Sequence, residues 1–111
     1  MKWQKLESLE GLTNIKELSA NKPVLIFKHS TRCSISAMAL SRLERAWKDS
    51  DNEKIEPYYL DLIEYRPVSN QIADTFNVRH ESPQVLVIKD GKSVYNNSHS
   101  GINYNDILES I

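Results

Sequence analysis

A single cysteine, Cys33, is the only thiol in this chain of 111 residues. With no second cysteine there is no internal disulfide, and no disulfide framework holds the fold. That usage fits a reducing compartment, where a solitary thiol is either buried and inert or chemically used. An excess of charge of one sign is also missing. Fourteen basic side chains stand against 15 acidic ones for a net −1, with the two signs interspersed. Nucleic acid and acidic membranes therefore receive no electrostatic support as partners. No purely apolar run exceeds four residues, as at 24–27 and 85–88, far short of the ~20 needed to cross a bilayer. The opening "MKWQKLESLE" lacks the apolar core of a signal peptide, so a cytoplasmic address is expected. No repeat, low-complexity tract or Gly/Ser linker interrupts the chain, which predicts one domain over residues 1–111.

What is present reads as an alternation of short elements. Residues 13–21 suggest a helix capped by Thr13, with Ile15 and Leu18 on its apolar side and a stop at Asn21 and Pro23. "VLIFKH", 24–29, reads as a central strand. A helix follows from about Cys33 to Lys48, with Ile35, Ala39, Leu43 and Trp47 on one stripe and Met38 and Ala46 beside it. Residues 55–63 read as a second strand whose start, at Pro57, belongs at an edge. The spacing of Val68, Ile72, Ala73 and Phe76 predicts a helix from Pro67. Two strand-like runs around Asp90-Gly91 predict a hairpin. A closing helix, capped by Asn103, places Tyr104, Ile107, Leu108 and Ile111 inward. Strand–helix–strand followed by a hairpin implies a mixed four-stranded sheet with helices on both faces, an α/β fold.

Cys33 falls at the first turn of the helix leaving the central strand. Unpaired backbone N–H groups and the positive end of a helix dipole favour a thiolate over a thiol, which makes a thiol so placed nucleophilic. Its neighbours in "HSTRCSIS" are polar: Ser30, Thr31, Arg32, Ser34 and Ser36. Free cysteine is more often a small buried hydrophobe, but this collar offers little to bury it. Ser36, one turn on, can bring a hydroxyl towards the same sulfur and cannot form a disulfide with it. "C-S-I-S" thus has the spacing of a Cys-x-x-Cys motif with its second sulfur replaced by oxygen. Pro83 stands directly before an apolar strand. Taken alone it reads as an ordinary trans proline, since only ~5–6% of X–Pro bonds in folded proteins are cis.

"VLIFKHSTRCSIS", the long helix after it, and "ESPQVLVIKDG" before a closing helix together resemble a thioredoxin-fold protein over essentially the whole chain. Within that superfamily the chain is similar to the YtxJ-like, BrxC-type family of monothiol bacilliredoxins, whose signature is F-K-H-S-x-x-C-P-I-S. The match runs from Phe27 to Ser36 with one departure, Ser34 in place of proline, which restores a backbone N–H at the helix start. The resemblance implies Cys33 as nucleophile, supported by Thr31, Arg32, Ser34 and Ser36. It also implies a cis Pro83 facing the thiol, with the backbone of Ser82 offered to a disulfide-bearing substrate. The activity implied is removal of a low-molecular-weight thiol, bacillithiol, from S-thiolated proteins through a mixed disulfide on Cys33. No tightly bound cofactor is expected. A second small thiol or another redoxin would act as reductant. The absence of a second cysteine excludes a dithiol thioredoxin, and Ile26 stands where a peroxiredoxin needs proline.

Other readings are weaker. His29, His80 and His99 lack zinc-type spacing, so no metal site is expected. A Cys–His hydrolase needs an oxyanion hole and cleft that so small a domain hardly provides. A non-catalytic thioredoxin-fold binding or chaperone module, or a thiol redox sensor, remain as alternatives. The pattern leaves the oligomeric state open.

Overall fold

The computed structural model describes the whole chain, Met1–Ile111. Its elements in order are β1 (Gln4–Lys5), α1 (Leu9–Leu18), β2 (Val24–His29), α2 (Ser34–Ala46), β3 (Glu56–Asp61), α3 (Arg66–Phe76), β4 (Gln84–Lys89), β5 (Lys92–Ser98) and α4 (Tyr104–Glu109). Short 3-10 turns at Asp49–Glu53 and His99–Gly101 lead into β3 and α4. The five strands form one sheet in the order β1-β3-β2-β4-β5. β2 runs parallel to β3 and antiparallel to β4, so the crossover through α2 and the late hairpin share one central strand.

The sheet has five strands where the sequence pattern suggests four. β1 is two exposed polar residues with no periodicity to read. It is a strand only because the outer edge of β3 is open to it: Gln4 and Lys5 register with Tyr58 and Tyr59, and Leu6 N donates to Tyr59 O at 2.9 Å. The same ladder explains Pro57. Pairing to β1 begins at Tyr58, so Pro57 is flanked by Leu25 of β2 on one side alone and its missing N–H is tolerated.

α1 starts earlier than the Thr13 cap suggests. Ser8 is the N-cap, its Oγ accepting from Gly11 N at 3.0 Å. Thr13 sits inside the helix and donates back to Leu9 O at 3.3 Å. Gly11 hides this start, because a weak helix former occupies the first turn. The space there is tight: a Cβ would lie 3.2 Å from Ser8 Oγ and 3.3 Å from Leu6 Cδ1.

The hairpin turns at Asp90 and Gly91, both with positive φ (54° and 75°), the backbone of a tight two-residue connection. Asn103 caps α4 by accepting from Asp106 N at 3.1 Å.

Alternation along the strands divides the core in two. Val24 and Ile26 of β2 point to one face with Leu60, Leu86 and Ile88, under Leu12 and Ile15 of α1 and Val68, Ile72 and Phe76 of α3. Leu25 and Phe27 point to the other with Val85 and Val87, under Ala39 and Leu43 of α2 and Ile107 of α4. All six residues of β2 are buried, including its last two, Lys28 and His29. By the same alternation Lys28 faces α1 and α3, while His29 faces α2 and α4. No helix is long and apolar enough to cross a membrane.

Candidate active site

The register places two loops at one end of the sheet. Lys28, next to last in β2, pairs with Gln84, the first residue of β4. The residues after His29 and those before Gln84 therefore leave adjacent strands side by side. The first loop carries Cys33 and the second carries Ser82 and Pro83. The Ser82–Pro83 peptide is cis, as the resemblance implies.

Cys33 is the N-cap of the 13-residue α2, with extended backbone (φ −111°, ψ 120°) and a side chain that caps no backbone group. It is half-buried. Its N–H donates to Ser30 O at 3.1 Å, closing the turn that Thr31 and Arg32 bridge, and its carbonyl accepts from Ala37 N at 3.1 Å. Thr31, Arg32 and Ser34 are exposed around it, and Arg32 forms no ion pair. Ser82 is half-buried and Pro83 buried, with Pro83 O accepting from His99 N at 3.1 Å.

Ser36 takes a place different from the one its spacing suggests. It is fully buried, and its Oγ lies 2.7 Å from His29 Nδ1 while accepting from Ser30 N at 3.1 Å. An Nδ1–H on His29 would leave the buried Ser36 proton without a protein acceptor. The arrangement that uses every group has Ser36 donating to a bare Nδ1. Its hydroxyl is therefore committed to the strand end and the turn, and makes no hydrogen bond to the Cys33 sulfur. Burial lowers the pKa of His29, against the opposing pull of Asp61 and Glu44, which keeps the ring neutral and able to accept near pH 7. His29, the last residue of β2, is thus a buried anchor for the turn before the thiol.

This anchoring also sets the face of α2. Ser36, Ala39 and Leu43 turn inward. Ile35 and Met38, placed by their spacing on and beside the inward stripe, are instead 56% and 67% exposed. A stripe at every fourth residue drifts round a helix of 3.6 residues per turn, and the bond from Ser36 to His29 settles which side faces in. Ile35 and Met38 join Ala39, Arg42, His99 and Ser100 round a shallow depression of ≈ 170 Å³ beside the start of the helix.

The three histidines lie apart: His29 against α2, His80 against Lys28, and His99 beside Ser98. No three metal-ligating side chains converge. Sequence reasoning passed over Lys28. Its side chain is wholly buried, and Nζ lies 3.3 Å from His80 Nδ1. The signal is visible in "VLIFKH", where a lysine interrupts an apolar central strand.

A half-exposed thiol at the head of a helix that leaves the central strand of a mixed sheet flanked by helices defines a thioredoxin-fold protein with a thiol redox role. Among solved structures the chain is similar to a thioredoxin-fold protein whose description proposes an oxidoreductase, at 32% identity and TM-score 0.79, covering 96% of this chain and 90% of that one. The thioredoxins of Malassezia sympodialis (15% identity, TM-score 0.76, 98% and 87% covered) and Fasciola hepatica (18%, 0.71, 97% and 95%) share the fold. The family described as monothiol bacilliredoxin BrxC matches residues 4–107. The chain belongs to that family.

Proposed function

We propose that this protein removes a low-molecular-weight thiol, bacillithiol, from S-thiolated proteins in the cytoplasm. The Cys33 thiolate attacks the sulfur of the small thiol in the mixed disulfide. One S–S bond breaks and another forms, the target protein leaves as its thiolate, and Cys33 retains the small thiol. A second molecule of small thiol, or another redoxin, then attacks that adduct and carries it away as a disulfide. Overall the target is reduced and the small thiol oxidised.

The observation that carries this reading is the pairing of a half-exposed Cys33 with a Ser36 that is buried and hydrogen-bonded elsewhere. One sulfur is available for attack, and nothing one turn away can finish the reaction. Ser82 and Pro83, emerging beside the thiol, would offer backbone to the incoming chain. Thr31, Arg32 and Ser34 would border it. The exposed Ile35 and Met38 would meet the apolar surface of the target.

Intact mass spectrometry after parallel exposure to bacillithiol disulfide, glutathione disulfide and coenzyme A disulfide tests the reading. One adduct on Cys33, formed fastest with bacillithiol, is expected, together with loss of de-thiolation in Cys33→Ser. No adduct on Cys33 with any of the three disulfides, and no de-thiolation by the wild type, would overturn it in favour of a binding module.

A further inference from the structure

Lys28 is fully buried near the end of the central strand and forms no ion pair. Removing an ammonium group from water is costly without compensating partners, and burial here pulls its pKa down to about 8. Its one polar contact is His80 Nδ1 at 3.3 Å. An ammonium can only donate, so Nδ1 accepts and the ring is neutral. His80 lies three residues before Pro83, and a second buried group acts on the same segment. Gln84, 1% exposed and the register partner of Lys28, donates from Nε2 to Arg79 O at 2.9 Å and accepts at Oε1 from Glu81 N at 3.4 Å. The outer side is tied to β5, through His99 N to Pro83 O at 3.1 Å and Ser98 Oγ to the Glu81 carboxylate.

We propose that Lys28, together with Gln84, is a positioning residue that holds residues 79–83 from beneath and so sets where Ser82 and Pro83 meet the protein half of the substrate. This deepens the function proposed above and rests on it. An apolar chain would fill the same volume without burying a charge. What lysine adds is a donor aimed at the loop. The charged groups around the contact are Arg66, at the start of α3, and Glu81, in the segment itself. Burial, then Lys28 and Arg66, lower the pKa of His80, and Glu81 opposes them. Near neutrality Nδ1 is therefore free to accept. In acid it takes up a proton, two cations face each other, and the anchor is lost.

The test compares a protein substrate with a small one. In Lys28→Met, KM for an S-bacillithiolated protein should rise about tenfold, the effect of one lost hydrogen bond, with kcat little changed. Adduct formation on Cys33 by bacillithiol disulfide alone should stay at the wild-type rate. His80→Phe, which removes the acceptor, should reproduce the KM rise. In the wild type KM should climb reversibly on acidification, and the NMR titration midpoint of His80 should move up in Lys28→Met, where a neighbouring cation is gone. An unchanged KM in both folded variants would overturn the proposal, as would an equal loss with the small disulfide, which would assign Lys28 to the thiol itself. Should Cys33→Ser still de-thiolate the protein, the functional reading fails instead.

Discussion

At the scale of single residues, the turn before the thiol is arranged by a hydroxyl and an imidazole that make no hydrogen bond to the sulfur. Ser36 binds the end of β2 and the first N–H of the turn, so the loop before Cys33 is closed at both ends. Ser36→Ala would leave His29 Nδ1 and Ser30 N–H buried without partners. A loss of about 1–3 kcal/mol is expected from urea unfolding, the usual cost of stranded polar groups. Cys33 should still accept a small-thiol adduct, since no bond to the sulfur is lost. The spacing of Ser36 from Cys33 is legible in the sequence. Its partner is not, because His29 and Ser36 meet only when α2 packs on the strand that precedes it.

At the scale of elements, one contact outside the site holds a helix in place. Tyr104, the first residue of α4, donates to Asp51 Oδ2 at 2.6 Å. Asp51 is almost wholly buried and also accepts from Lys48 N at 2.9 Å. The bond to Asp51 leads the causes that push the Tyr104 pKa up to about 12. Tyr104→Phe should lower stability by about 1.5–3 kcal/mol, the range for a hydrogen bond to a charged acceptor. The denaturation midpoint should move while the adduct on Cys33 forms as before. The elements themselves were largely legible: the central strand, the hairpin at Asp90-Gly91 and the Asn103 cap all carry local signals. The starts of α1 and β1 were not, the first masked by Gly11 and the second lacking any pattern of its own.

At the scale of the molecule, the buried ionisable groups set how stability responds to pH. His29 and His80 both have folded-state pKa values below the ordinary 6.5. The unfolded chain therefore binds more protons between the lowered values and 6.5. Their contribution is complete above 6.5 and is lost as pH falls through the folded values. Urea midpoints should drop on acidification from pH 7 in a way that replacing both histidines by Gln reduces. Lys28 acts at the other end. Its pKa is about 8 folded against 10.5 free, so stability should rise as pH climbs between those values. Below pH 8 the folded state carries a buried charge, and Lys28→Met should stabilise the protein by up to about 3 kcal/mol. That gain should vanish above pH 10.5. A variant that is more stable yet binds its protein substrate less well marks a residue kept for function.

The sequence by itself determined the order of the four helices and of strands β2 to β5, the lone thiol at a helix start and the family. Each of these is written in contiguous residues, as caps, turn pairs, or repeats of 2 and 3.6 along one segment. Only the tertiary structure decided that Ile35 and Met38 face outward, that two polar residues near the start form a fifth strand, and that Lys28 reaches His80 across 52 positions of chain. Such pairings depend on which faces the packed helices and strands bury against one another, and no single stretch of sequence contains both partners.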